Sequence, residues 1–335
     1  MRFHVVRLML CLVVLSGMLV ASGHAAASEA ENLWEQASKA SDAGQYQEAI
    51  RLYERSLALC AGELDCRWAN LNGLGVVYDT LNQNERARSY YEQTLQLSRQ
   101  RNVPDDLVND LLNLGAVLYK GLDQLQPALP LFEEALALSR RGNNQEMNAL
   151  LLFHIGTVQM RFGRYGEATR VLQESLAINR RLGNAAGVSN ALATLGQVAN
   201  SSGSYTEATG YYDEAISIQR RNRMDEDLSS SLNRKGLNEY DLKKIVSALN
   251  AFDEALAIAR RIGHRQLQAN ILNNLGIVQM SVGQYEQARN YYQQALDLAR
   301  QVGRKSLQAV AINNLGQVYT ALGQQDRALK YYQEI

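Results

Sequence analysis

A forty-residue echo constrains this chain more than any other feature. Asn273-Asn274-Leu275-Gly276 returns as Asn313-Asn314-Leu315-Gly316. The same step taken backwards meets Gly236, Gly196 and Gly156, then Gly115 after one forty-one-residue step, then Gly75. A second ladder of small residues runs in phase with the first: Ala87, Ala128, Ala168, Ala208, Ala248, Ala288 and Ala328. Seven copies, with a weaker one around Ala37 and Ala49, mark an array of stacked supersecondary units.

Within one copy the pattern is helical. Leu272, Leu275 and Gln279 share a face, and Gly283-Gln284-Tyr285 is a turn. Ala288, Tyr291, Tyr292, Ala295, Leu296 and Ala299 then recur at the three- and four-residue spacing of an amphipathic helix. Arg300 puts a cation at the negative end of that helix, and Gly303 suits a left-handed cap. Gly276 and Ala288 are expected to leave room where the two helices cross, with Tyr285 filling the space beside them. One such pair cannot bury its apolar face alone, so neighbours must stack. Three prolines and 7% aromatic residues agree with an all-α protein.

These residues resemble the tetratricopeptide repeat: Leu275-Gly276, Gly283-x-Tyr285, Ala288, Tyr292 and Ala295. The match recurs from Leu195-Gly196 through Tyr205, Ala208, Tyr212 and Ala215, and again from Leu315-Gly316 through Tyr319, Gly323, Ala328 and Tyr332. The resemblance covers residues 31–335 and implies a right-handed α-solenoid of stacked antiparallel helix pairs, a superhelix of about eight repeats with the last incomplete. The period departs from the family's usual thirty-four and is similar to the longer variant of kinesin light chains and bacterial signalling arrays. Two copies depart further. Lys235 replaces the leucine before Gly236, and Leu242-Lys243-Lys244-Ile245 replaces the usual turn. The copy around Gly115 carries the extra residue, with Pro127 at a helix start and Pro130 in the first turn. Local bends are expected at both.

Residues 1–27 read as a secretory signal peptide: Arg2 and Arg7, an apolar run from Leu8 to Ala21, then Ala25-Ala26-Ala27 before Ser28. The run is shorter than the roughly 20 apolar residues of a membrane span. The expected location is therefore periplasmic or secreted, with no membrane contact beyond the signal peptide and an array over residues 28–335. Cys11 leaves with the leader, and in an oxidising compartment Cys60 and Cys66 are candidates for a disulfide.

Lys+Arg and Asp+Glu are equal at 34 each, which gives no electrostatic footprint for nucleic acid. No catalytic constellation is visible, and the chain reads as a non-enzyme without cofactor or metal. His154 and His264 sit in different copies with no ligand-type neighbours at metal spacing, so His154 reads as a groove or packing residue and His264 as a loop residue of the turn. The serines form no nucleophile elbow and no glycine follows a strand. Glu133-Glu134 reads as a solvated helix face. Arg140, Arg180, Arg220, Arg260 and Arg300 end successive second helices, where cations answer the last carbonyls.

The distinctive polar signal lies in the first helices. With the repeat glycine as position eight, position five holds Asn72, Asn273 and Asn313, as well as Asn233. Position six holds Asn113, Asn274 and Asn314, position two Asn109, Asn190 and Asn270, and position nine Gln197 and Gln317 with Thr157. At about 100° per residue these positions share roughly one third of the helix circumference. The resemblance makes that face a concave groove. Carboxamides there could pair with the C=O and N–H of an extended backbone whatever its sequence, with His154, Thr194 and Arg234 reading side chains.

The expected function is an exported protein-interaction scaffold that binds a protein or peptide partner. Tyr331-Tyr332-Gln333-Glu334-Ile335 stops in mid-helix. That leaves two alternatives: the sensing arm of a longer effector such as a CHAT-type, caspase-like peptidase, or an array that self-associates through its uncapped last repeat.

Overall fold

The computed structural model describes residues 27–60 and 62–334. The expected leader lies outside the described residues apart from its last position. Sixteen α-helices and one π-helical turn follow one another, with no strand among the described residues. They are α1 (27–42), α2 (Tyr46–Leu59), α3 (Leu64–Thr80), α4 (Asn84–Arg101), α5 (Pro104–Ala116), α6 (Leu125–Arg141), α7 (Gln145–Arg161) and α8 (Tyr165–Leu182). After these come α9 (Ala185–Ser201), α10 (Tyr205–Arg221), α11 (Asp225–Asp241), α12 (Ile245–Arg261), α13 (Arg265–Ser281), α14 (Tyr285–Gln301), α15 (Lys305–Ala321) and α16 (Gln325–Tyr332). Odd-numbered helices open a pair and even-numbered helices close it. The chain forms two compact units, one ending at Val158 and one starting at Gln159.

A residue in the left-handed region ends almost every helix, at about twenty-residue intervals. Glycine takes the place at Gly163, Gly183, Gly203, Gly263, Gly283, Gly303 and Gly323, where positive φ costs it nothing. Where glycine is missing, Asn82, Asn102, Asp123, Asn143, Arg223 and Lys243 adopt the same conformation. Lys243 holds φ 62°, so the irregular turn between α11 and α12 keeps the backbone path of its neighbours.

The extra residue of the Gly115 copy is absorbed by the π-helical turn Val117–Gly121 that prolongs α5. There the Leu122 N–H donates to the Val117 carbonyl at 3.1 Å, and Gln124 N–H to Leu118 at 2.8 Å. One inserted residue is what a π turn accommodates. The expectation for Pro130 is corrected: α6 starts at Leu125, so Pro130 stands inside the helix rather than in its first turn. Both Pro130 and Gln126 are exposed, so water can meet the carbonyl that the missing N–H leaves unbonded.

In the first unit Leu71, Leu74, Val77, Ala87, Tyr91, Leu111, Leu114, Ala128 and Phe132 are buried between the helix pairs. In the second unit one continuous core includes Leu232, Phe252, Leu272, Leu275, Ala288, Tyr292, Ala295, Leu296 and Leu315. The repeat glycines explain themselves here. A Cβ at Gly276 would stand 2.6 and 2.8 Å from ring atoms of Tyr292, and Gly75, Gly196 and Gly236 meet Tyr91, Tyr212 and Phe252 the same way. Tyr285 is half-buried against the same core, as expected, but it does not fill the gap itself. The ring that occupies the glycine's gap comes from one turn after Ala288, on the buried face of α14.

In the first unit a disulfide joins Cys60 and Cys66, whose Cα atoms are 5.5 Å apart. The Nδ2 of Asn70 donates to the Cys66 carbonyl at 2.9 Å within α3 and lies 3.4 Å from Cys60 Sγ on the other side of the bridge.

Candidate functional site

Successive first helices of the second unit touch one another: α9 with α11, α11 with α13 and α13 with α15. The second helices approach each other less closely. The first helices therefore form the inner side of that unit, and their exposed faces carry the carboxamides singled out in the sequence.

Asn233, Asn273, Asn274, Asn313 and Asn314 are half-buried and most bond to one another. Asn274 Nδ2 donates to Asn233 Oδ1 at 2.9 Å, and Asn314 Nδ2 donates to Asn273 Oδ1 at 2.7 Å. Each rung joins position six of one pair to position five of the pair before it. A rung uses one N–H and one lone pair, so the donor's oxygen and the acceptor's NH₂ stay available to a ligand. Asn270 is also half-buried and makes no side-chain hydrogen bond among the described residues.

Four of these amides meet in one place. Asn233, Asn270, Asn273 and Asn274 line a cleft of about 210 Å³ together with Leu307, Val310 and Ala311 of α15. No ionisable side chain lines it. Val310 is 47% exposed, an apolar side chain on a face otherwise rich in amides. The sequence reading missed it, although a valine there is visible as a departure from the polar pattern. Asn190 and Gln317 are exposed and Gln197 is half-buried, all three outside this cleft.

In the first unit the candidates are more scattered. Asn72 and Asn113 are half-buried, forty-one residues apart like the two rungs above. The Asn72 Oδ1 is buried without a hydrogen-bond partner. Asn109 is exposed beside a separate cleft of about 390 Å³ formed by α5, the end of α6 and the start of α7.

Of the two roles expected for His154, groove reader and packing residue, the first is corrected and the second holds. His154 is 5% exposed, stacked on Phe132 with ring centroids 5.2 Å apart, and its Nδ1 lies 3.1 Å from the Tyr119 hydroxyl. Burial, reinforced by the nearby Lys120 ammonium, pushes its pKa down to about 3. It is a neutral core ring. Thr194, also expected to read side chains, is buried as well.

The arginine ladder does more than answer helix dipoles. Arg180 pairs with Glu214 at 2.6 Å and Arg220 with Glu254 at 2.6 Å, each joining one second helix to the next, and Arg300 pairs with Glu334, just past the end of α16, at 3.2 Å. Arg99 reaches Glu134 likewise at 3.2 Å. All these side chains are about half exposed, so each pair contributes at most about 1 kcal/mol. Arg260 departs from the series because Gln294 stands where the next glutamate would be.

Among the described residues no group of three metal-ligating side chains occurs, and no helix is long and apolar enough to cross a membrane.

Several solved structures share this fold. The apo form of the quorum sensor NprR from B. thuringiensis is 14% identical with a TM-score of 0.73, covering 91% of this chain and 85% of its own. The apo form of RapI is 18% identical with a TM-score of 0.67, covering 82% and 99%. A Rap protein complexed with Competence and Sporulation Factor is 18% identical with a TM-score of 0.57, covering 89% and 76%. No curated protein matches the sequence. A sequence family described as anaphase-promoting complex subunit 5 matches residues 69–154. The tetratricopeptide repeat family matches residues 29–100, 145–221, 227–301 and 267–335. With the helix pairs and the glycine–aromatic crossings on view, that match places the chain in the tetratricopeptide repeat family.

Proposed function

We propose that this chain is an exported protein-interaction scaffold that holds an extended segment of a partner protein against the inner face of its second unit. The observation that carries the reading is the cleft where Asn270 stands unbonded beside Val310 and the Asn233–Asn274 rung. Amides supply donors and acceptors for a peptide backbone, while Val310 and Leu307 offer apolar contact to one side chain. Because the lining is uncharged, recognition there selects shape and backbone rather than charge. The Rap protein complexed with Competence and Sporulation Factor supplies a precedent for binding on a related fold, at 18% identity.

A displayed library of random peptides panned against the full chain tests this. Peptides enriched by the native protein should lose binding to Asn270→Ala and to Val310→Asp, and keep it for Asn190→Ala. Enriched peptides that bind all three variants equally well would sink the assignment. Export is tested separately, by fusing the first 27 residues to a phosphatase that is active only outside the cytoplasm. An inactive fusion rules the leader out.

A further inference from the structure

A second cleft of the second unit lies on the other side, between the second helices α10 and α12. It measures about 690 Å³, within the ~300–1,000 Å³ typical of ligand sites. Asp213, Arg220, Lys235, Glu239, Ala251 and Glu254 are among its lining residues.

Three side chains shape it. The residue before the repeat glycine is buried and apolar elsewhere, as at Leu74, Leu114, Leu195, Leu275 and Leu315, but here it is Lys235. Four residues further on, where Tyr78, Tyr319, Gln159 and Gln279 stand in other copies, is Glu239. In the closing helix, Tyr211, Tyr291 and Tyr331 have their counterpart in Ala251.

The other pairs show what the missing tyrosine does. Tyr331 stacks on Tyr319 with centroids 5.3 Å apart, and Tyr90 stacks on Tyr78 at 5.4 Å. The hydroxyl then reaches back to the preceding second helix. Tyr331 OH donates to Gln293 Oε1 at 3.4 Å, while Tyr211 accepts from Gln173 and donates its own proton to Glu207 of α10 at 3.1 Å. The residue of α10 that matches Gln173 and Gln293 is Asp213. Leu131 and Val171 also replace the ring in α6 and α8, but with bulk of their own; only here is the place left to an alanine, while Asp213 stands where Gln293 accepts from Tyr331.

The charges narrow the occupant. Lys235 Nζ lies 2.6 Å from Asp213, and Arg220 lies 2.6 Å from Glu254. Glu239, 5% exposed, faces Lys244 at 3.6 Å and accepts from Thr209 at 3.4 Å. A charged guest seated at Asp213, Lys235, Arg220 or Glu254 would have to break one of these pairs. A neutral ring with one donor hydroxyl need not, because a carboxylate already holding an ammonium has lone pairs to spare.

We propose that the α10–α12 cleft takes a tyrosine side chain presented by a partner protein, with the ring against Ala251 and the hydroxyl donating to Asp213. The surface is separate from the amide-lined inner face and does not depend on it. The test is an NMR titration of the full chain with N-acetyl-tyrosinamide and N-acetyl-phenylalaninamide. The tyrosine compound should shift the backbone amides of Lys235, Ser247 and Ala251. The phenylalanine compound should bind about fivefold more weakly, the loss of one hydrogen bond.

Ala251→Tyr puts the ring back in the chain and should abolish the shifts without lowering Tm. Asp213→Asn, a surface change that leaves the core alone, should weaken tyrosine binding while Asn270→Ala leaves it unchanged. Equal binding of the two compounds, or undiminished binding to a folded Ala251→Tyr, overturns the proposal. Concentration-dependent self-association of the native chain that disappears in Ala251→Tyr would assign the slot to a second copy, and overturns it too.

Discussion

Gly276→Ala sets two opposing effects against each other. Alanine inside a helix is favoured over glycine by about 1 kcal/mol. Against this, the new Cβ would lie 2.6 and 2.8 Å from ring atoms of Tyr292, far inside normal contact. Tyr292 is 3% exposed and wedged in the core between α13 and α14, so its ring cannot withdraw. Overpacking of this kind costs about 1–3 kcal/mol, and a fixed aromatic ring puts the site at the upper end. The net expectation is a loss of about 1–2 kcal/mol.

Gly316→Ala is the internal control. Its Cβ meets the Tyr332 ring at 2.7 and 2.9 Å, an almost identical clash. Tyr332, however, is 40% exposed near the end of α16, so its ring can swing into water. Here the helix propensity should survive and the net change should lie within about 1 kcal/mol of zero.

Amide hydrogen exchange is the right assay, because a repeat array opens locally and its global melting temperature dilutes the effect. Exchange from α13 should quicken roughly 5- to 30-fold in Gly276→Ala, the factor that corresponds to 1–2 kcal/mol. Adding Tyr292→Leu should recover much of the loss, since Leu172 occupies the matching place in α8. Unchanged or slower exchange in Gly276→Ala would refute the reasoning, as would equal damage from Gly316→Ala.

The remaining expectations concern charge, amides and the disulfide. His154 is neutral in the fold with its pKa lowered to about 3, so its contribution is present above the unfolded value near 6.5 and is lost as pH falls toward 3. His154→Phe should therefore narrow the drop in first-unit stability between pH 7 and pH 5 by about 2 kcal/mol, and an identical pH profile in the variant contradicts the burial argument. A double-mutant cycle on Asn233 and Asn274 should give a coupling of about 0.5–1.5 kcal/mol; none at all would mean the rung does not form in solution. Reducing the Cys60–Cys66 bond should cost the first helix pairs about 2 kcal/mol, read as faster exchange in α2 and α3 with α13 unaffected.

What could be read from sequence, and what could not, follows from how the helix pairs are offset. The glycine and alanine ladders revealed the hairpins because a crossing needs small residues at fixed places in every copy. The irregular turn at Lys243 looked like a break, yet one strained residue preserves the path, since neighbouring pairs dictate where the chain must go. Tyr292 was passed over for Tyr285 because both stand near the crossing in sequence, and only the helix rotation decides which ring faces Gly276.

The polar contacts were hidden for a related reason. Side chains in register, forty residues apart, stand side by side along the array, and the sequence reading sorted the asparagines that way. The bonds run diagonally. Asn233 and Asn273 meet partners forty-one residues on, while Arg180, Arg220 and Arg300 meet glutamates thirty-four residues on. The two offsets differ because the rungs join first helices and the ion pairs join second helices, whose facing surfaces come from different parts of the repeat. A residue kept at constant phase thus shows which face it is on but not what it touches. The missing tyrosine at Ala251 is the converse case: its absence is plain in the sequence, and only the diagonal Tyr331–Gln293 contact shows which carboxylate it would have reached.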